Sequence, residues 1–397
     1  MFETLTMAPP DPILGLTEAF KKDPREGKIN LGVGVYLDDS GKVPMLATVR
    51  EAARRILESG ASTTYLPIDG LADYNTRVRE LLLGPAHPAI AQGRALTIQT
   101  PGGTGALCVA ATFVKQVSSA TPTIWVSDET WANHPGIFKS AGLQVRDYPY
   151  YDPKTRKLRL ESMLDAIKKI PRGDLILLHG CCHNPTGLDP TPDQWRAIAD
   201  AVAQQGLFPL LDFAYQGLAE GLDQDAFGVR LFAEPGRQTL VASSFSKNFS
   251  LYNERVGALT IIAATADDAQ KALSHVKLAI RTNYSNPPRQ GAALAAIVLG
   301  DPKLRAAWEE EVAGIRGRIN QMRALLVAKL KERKVAQDFS FIADQRGMFS
   351  YSGLTPDQVA ALRDKHAIYI VKNGRINVAG LTTGNINRFA DAMSAVL

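Results

Sequence analysis

Lys247 stands in "SSFSKNFSLYNERVG", close behind Ser243, Ser244 and Ser246 and upstream of Arg255. A lysine whose amine acts as a nucleophile attacks a carbonyl and forms a Schiff base. Hydroxyls and a guanidinium gathered beside it suit an anion, a phosphate above all. Taken alone, such a lysine is as well read as an ordinary solvated loop residue. Three other stretches offer matching groups. "PGGTG" supplies Gly102 and Gly103 for a tight turn, and Thr104 where a helix opens; helix N-termini attract phosphate. "CCHNPTG" supplies Asn184, held in an extended or turn shape by the following proline, with a cis bond open to it. "DFAYQG" supplies Asp212 at the end of an apolar run, with Tyr215 just beyond. A buried carboxylate needs a partner, and a structural salt bridge is its bland reading.

These groups need elements to bring them together. From about residue 96 to 265 short apolar runs alternate with helical patterns. "LTIQT", "TIWVSD", "DLILLHG", "FPLLDFAYQG", "TLVASSFS" and "VGALTIIAA" read as strands. "TPDQWRAIADAVAQQG" reads as a helix with a Thr cap and a Gly stop. The alternation implies a mainly parallel sheet covered by helices. Ligands of such sheets gather beyond the carboxyl ends of the strands, where the four stretches fall. The run Asp301–Lys334 has helical periodicity long enough to serve as a spine between domains. The segments after it suggest a small α+β domain. The N-terminal segment with the Pro9–Pro10 pair reads as an arm on this domain or on a partner subunit.

An amine, a phosphate cup, a carboxylate and a phenol together meet the needs of pyridoxal 5′-phosphate. The amine would bond the aldehyde, the carboxylate keep the ring nitrogen protonated, and Tyr215 with Asn184 hydrogen-bond the ring hydroxyl oxygen. Competing motifs fail on spacing. The glycines do not make a dinucleotide fingerprint or a P-loop, which argues against a nucleotide-binding oxidoreductase. His179 and His183 are four apart, but on a strand end rather than a helix, so no metal site is expected.

Composition narrows the class. The chain has 397 residues, 45% of them hydrophobic, and a net charge of +5. The charge is spread along the chain, without the basic block expected of a nucleic-acid binder. No apolar run approaches the roughly 18 residues of a membrane span. The N-terminus lacks the pattern of a signal peptide. Three cysteines, Cys108, Cys181 and Cys182, form no paired framework, so reduced thiols and a cytoplasmic location are expected.

At this point "GVGVY", "TPGGTGAL", "HGCCHNPTG", "DFAYQG", "SSFSKNFSLYNERVG", "NYSNPP" and "INVAG" are all in view. In this order, along the whole chain, they resemble the aspartate and aromatic amino-acid aminotransferases of fold-type I. The resemblance implies an α/β fold, with a mainly parallel seven-stranded sheet in a large domain and a smaller α+β domain. It implies an N-terminal arm and part of the small domain at 1–44, the large domain at 45–310 and the rest of the small domain at 311–397. Lys247 would carry the Schiff base and then move the proton. Asp212 would pair with the pyridinium nitrogen, with His134 behind it. Trp131 would stack on the ring, and Gly103, Thr104, Ser244, Ser246 and Arg255 would hold the phosphate. Arg375 would clamp the substrate α-carboxylate, and Gly34 would offer a backbone contact. Tyr65 and Arg281 would reach across a homodimer, to the phosphate and to an acidic substrate side chain. Singly, each of these residues has a structural reading: a surface charge, a strand ion pair, a core ring or a loop aromatic.

Departures from the family pattern fall at Glu129 and Pro67. Many relatives have a proline at the first position and a glycine at the second. Leu37 and Thr64 match places where strict aspartate enzymes often carry Lys and Asn, and Val43 lies near the same mouth. Lower polarity there eases entry of an aromatic ring, while Arg281 and Asn286 keep the dicarboxylate pattern. The expectation is a transaminase for aromatic amino acids and for aspartate or glutamate, with 2-oxoglutarate as acceptor. A strict aspartate aminotransferase is the alternative, followed by a β-lyase or decarboxylase using the same cofactor and a non-catalytic sensor.

Overall fold

A computed structural model describes residues 2–8, 11, 13–60 and 62–397; the Pro9–Pro10 pair lies outside them. The chain divides into two compact units, Pro44–Gly317 and Met1–Val43 with Arg318–Leu397.

The larger unit is built on a seven-stranded sheet. In chain order its strands are β1 (Ala95–Pro101), β2 (Thr123–Ser127), β3 (Gln144–Tyr148), β4 (Leu175–His179), β5 (Phe208–Phe213), β6 (Thr239–Ser244) and β7 (Val256–Ile262). They lie in the order β1-β7-β6-β5-β4-β2-β3. β7 runs antiparallel to both β1 and β6, and the remaining neighbours pair parallel. The α/β, mainly parallel architecture expected from the alternation is therefore present. Every residue of β4, β6 and β7 is buried, as expected of strands covered on both faces, whose sequences are nearly continuous apolar runs. Ile98, Leu107, Ile124, Leu177, Leu210, Leu240 and Leu259 meet in one core cluster. Burial of each such side chain stabilises the fold by about 1.5–3 kcal/mol.

Local signals set the helix boundaries. The helix Pro192–Gln205 opens on a capping box, with Thr191 N–H donating to Gln194 Oε1 at 2.9 Å, and stops at left-handed Gly206. The same tetrapeptide, "TPDQ", opens Pro356–His366 with the same capping box at Thr355 and Gln358. The helix Ala47–Glu58 has no side-chain cap of its own. Glu311 supplies one from a distant part of the chain, accepting Ala47 N–H at 2.6 Å and the Thr48 hydroxyl at 2.5 Å. The long periodic run forms a 31-residue helix, Pro302–Glu332, whose residues up to Gly317 belong to the larger unit.

In the smaller unit Ile29–Asn30 pairs parallel with Ile368–Tyr369, and Phe349–Tyr351 pairs antiparallel with Arg375–Asn377. Helices Pro356–His366 and Ile386–Val396 complete its α+β character.

Candidate active site

β1, β2, β4, β5 and β6 run the same way, which puts their carboxyl ends along one edge of the sheet. From these ends come Gly102, Thr130, His179, Asp212 and Ser244. Because β7 runs the other way, it is its start that reaches this edge, which places Arg255 there too. Register sets the finer alignment: His179 lies opposite Asp212, and Gly257 opposite Ser244.

The residues expected to hold a phosphate combine a tight main-chain turn with hydroxyls and a guanidinium. The helix Gly102–Val117 begins without a side-chain cap, leaving its first amides available. Gly102 has φ +78°, and a Cβ there would lie 2.5 Å from Arg255 Nη2. A Cβ on Gly257 would lie 2.3 Å from the carbonyl carbon of Gly102, so β7 meets this turn backbone to backbone. A Cβ on Gly103 would come within 3.0 Å of Ser244 Cβ. The Ser244 hydroxyl donates to Ser246 Oγ at 3.3 Å, and Arg255 Nη1 donates to the same oxygen at 3.4 Å. Thr104 is half-buried in the first turn of the same helix.

The amine and the groups expected to meet a cofactor ring lie together. Lys247 Nζ sits 4.9 Å from the centre of the Tyr215 ring. Asn184 Nδ2 donates to Tyr215 Oη at 3.5 Å, and the Asn184–Pro185 bond is cis. Asp212 is largely buried and its Oδ2 lies 3.0 Å from His134 Nε2. Burial pushes the Asp212 carboxyl up, but the His134 hydrogen bond, with the Lys247 charge nearby, outweighs it, holding the group below the usual carboxylate range. Trp131 is half-buried, packed on the core cluster and edge-on to His134 at 5.2 Å.

Behind Asp212 runs a one-way chain of hydrogen bonds. The Asn184 main-chain N–H donates to His179 Nδ1 at 3.3 Å. Burial pushes the His179 pKa down to about 3, so this imidazole is neutral. Its Nδ1 is an acceptor, and its proton therefore sits on Nε2. That Nε2–H reaches Thr130 Oγ1 at 3.0 Å. The Thr130 hydroxyl is then free to donate to His134 Nδ1 at 2.8 Å, which leaves His134 Nε2–H for Asp212.

The groups expected of a site for pyridoxal 5′-phosphate thus lie along one edge of one sheet, and they fit that cofactor. Among the described residues no group of His, Cys, Asp and Glu side chains could hold a metal ion.

A family model described as "Aminotransferase class I and II" matches residues 26–393. The chain belongs to this family. The aminotransferase is 52% identical to the aspartate aminotransferase of Haemophilus influenzae over 397 residues, covering 100% of both chains. It is 46% identical to the aromatic-amino-acid aminotransferase of Pseudomonas aeruginosa over 395 residues, covering 100% of this chain and 98% of the other. A crystal structure of aromatic-amino-acid aminotransferase from Burkholderia pseudomallei, covalently bound to pyridoxal phosphate, superposes with a TM-score of 0.97. That protein is 49% identical, with 100% of this chain and 99% of the other covered.

The smaller unit of the aminotransferase carries a second cluster. Arg375 is buried, and its Nη2 donates to Gly32 O at 2.6 Å. Its guanidinium lies 4.2 Å from the centre of the Phe349 ring. A Cβ on Gly34 would come within 2.6 Å of that ring, so glycine is the residue that lets the 32–35 segment lie against it. Gly34 and Arg375 therefore both lie against one phenylalanine.

Tyr65 and Arg281 share no hydrogen bond with the Lys247 cluster among the described residues. Tyr65 is 91% exposed. Arg281 is exposed near the end of the helix Ala266–Asn283, where its Nη1 donates to Ser285 Oγ. Sequence reasoning missed Thr130 and gave His179 no role beyond a rejected metal ligand. Thr130 adjoins Trp131, and His179 ends an apolar strand, so position was the available signal. The Thr130–His134 contact is local, but His179 stands 49 residues from Thr130 along the chain, which hides the link between them.

Proposed function

We propose that this aminotransferase moves the amino group of tyrosine or phenylalanine, and of aspartate or glutamate, to a 2-oxo acid such as 2-oxoglutarate. The observation that carries the reading is Lys247 beside Tyr215, on the same sheet edge as the Asp212–His134 pair and the Ser244–Ser246–Arg255 cluster. Bound pyridoxal 5′-phosphate supplies the carbonyl that accepts the amino group and the ring that takes up an electron pair. Gly103, Thr104, Ser244, Ser246 and Arg255 hold its phosphate, and Trp131 covers its ring. Asp212, braced by His134, keeps a proton on the ring nitrogen. Tyr215 and Asn184 hold the ring oxygen. Lys247 first anchors the cofactor and then, as a free amine, carries a proton away from the substrate α-carbon and back. Arg375 grips the α-carboxylate, which a guanidinium can do through two parallel bonds, and Gly34 offers its backbone beside it.

Leu37, Val43 and Thr64 support an aromatic substrate, and Arg281 with Asn286 supports an acidic one. Val43 is 45% exposed. A homodimer belongs to this reading. Tyr65 at 91% exposure, Leu57 at 84%, Met45 at 62% and Leu278 at 59% present large apolar or aromatic side chains to solvent in one unit, area that a second copy would remove from water where it covered them. Tyr65 and Arg281 then serve the partner copy's site. No helix of the described residues is long and apolar enough to cross a membrane, which agrees with a cytoplasmic enzyme of small-molecule substrates.

The deciding experiment is a panel of half-reactions, measuring kcat/KM for tyrosine, phenylalanine, aspartate and glutamate. Comparable values for tyrosine and aspartate are expected. A negligible tyrosine value would leave a strict aspartate aminotransferase.

A further inference from the structure

Gln99 lies on β1, the edge strand of the sheet, and is 2% exposed. An edge strand leaves one row of main-chain groups unpaired, and the Gln99 N–H donates to Asp69 O at 3.0 Å. Its side chain reaches in two directions. Oε1 accepts Leu71 N–H at 3.1 Å, and Nε2 donates to Pro288 O at 2.6 Å. Gly70 has φ +85°, and a Cβ there would lie 2.4 Å from Gln99 Cβ, so the 67–70 turn closes directly onto this glutamine.

The same turn is tied to a helix. The Asp69 carboxylate pairs with Lys277 Nζ at 3.0 Å. Lys277 stands one helical turn before Arg281 on Ala266–Asn283, and Pro288 lies a short way after it. The stretch bearing Arg281 is thus anchored on one side through Lys277 and on the other through Gln99. The stretch bearing Tyr65 is anchored at Asp69 and Leu71 by the same two residues. Tyr65 and Arg281 are themselves exposed and make little contact that would fix their separation. A glutamine can accept and donate at once, so one buried side chain serves both segments.

We propose that Gln99 is a positioning residue that sets the spacing of Tyr65 and Arg281, the two groups this chain offers to a second copy of itself. Through that spacing it sets the preference for a dicarboxylate over an aromatic substrate. This inference rests on the dimeric, two-substrate reading above.

The test compares Gln99→Leu, Arg281→Ala and the double variant as holoenzymes. The readout is the ratio of kcat/KM for aspartate to that for phenylalanine. Loss of the two buried hydrogen bonds is expected to lower this ratio about tenfold in Gln99→Leu, chiefly through KM for aspartate. The double variant is expected to show no lower ratio than Arg281→Ala alone, because both changes act through one group. An unchanged ratio in Gln99→Leu while Arg281→Ala shifts it, or additive losses in the double variant, overturns the proposal alone. An unchanged ratio in Arg281→Ala overturns the reading of Arg281 and the inference with it. Should Gln99→Leu fail to fold, Lys277→Met reads the same coupling from a partly exposed position. A fall of roughly two- to fivefold supports the proposal, and an unchanged ratio overturns it.

Discussion

His134 Nε2 lies 3.0 Å from Asp212 Oδ2, and the hydrogen bond that makes this nitrogen a donor is settled at the main-chain amide of Asn184. Between them stand His179 and Thr130, each with only one consistent hydrogen-bonding direction. The same asparagine has its side-chain amide on Tyr215. Its backbone and its side chain thus serve two different groups of one site.

Thr130 is the narrowest point of this relay. Thr130→Val keeps the shape but leaves His179 Nε2–H and His134 Nδ1 without their shared partner. Each unmade buried bond costs about 1–3 kcal/mol. A fall in kcat of at least tenfold is expected, with a lower melting temperature. Stopped-flow half-reactions and thermal denaturation check the two parts.

Acid should act on the buried histidines before it reaches Asp212. His179 resists protonation in the fold, with its pKa moved from 6.5 to about 3. The unfolded chain therefore binds the extra proton first. The stabilising effect is complete above about 6.5 and is lost as pH falls towards about 3, at up to ~1.4 kcal/mol per pH unit. Burial pushes His183 the same way. The depressed Asp212 pKa acts lower, its contribution being lost below the ordinary carboxylate range near ~3.9. Urea unfolding at pH 7 and pH 5 should show the wild type weakened at pH 5, and His179→Gln weakened less steeply.

Lys247→Ala removes the amine while leaving the phosphate cup in place. Turnover is expected to fall by at least ~10²–10⁴-fold, the usual worth of a positioned acid–base group, with cofactor still bound noncovalently. Retention of rapid turnover would refute the assignment. Absorbance spectra with and without added amino acid, alongside steady-state rates, provide the check.

Gly257→Ala tests the backbone cradle. The new Cβ meets the carbonyl carbon of Gly102, and a main chain pinned between paired strands has little room to yield. A stability loss of about 1–3 kcal/mol is expected, together with weakened retention of the cofactor on dialysis. Thermal melts of apo and holo protein separate the two effects.

The strand-end motifs were legible because their chemistry is local: a glycine turn, a carboxylate after an apolar run and a lysine among hydroxyls. The helix boundary at Thr191 was equally legible, since a capping box is written within four residues, and the same tetrapeptide opens the helix at Thr355. The Glu311 cap of Ala47–Glu58 was not, because donor and acceptor belong to remote segments. The Thr130–His179 link and the Gln99 tie stayed hidden for the same reason. Each depends on strand order, and order in a sheet is decided by packing rather than by neighbours in the chain. The antiparallel course of β7 was invisible too, for a buried strand reads alike in either direction.

That reversal has a metric consequence. Lys247 and Arg255 belong to the single connection between β6 and β7, whose ends are clamped by Ser244 lying opposite Gly257. On the function proposed above, the connection works as a calliper: one jaw would hold an aldehyde carbon, the other a phosphate. Both of its ends are set by the register of two paired strands. Analogues that lengthen the arm between those two groups should be turned away by the span of this loop, even when ring and phosphate are each acceptable.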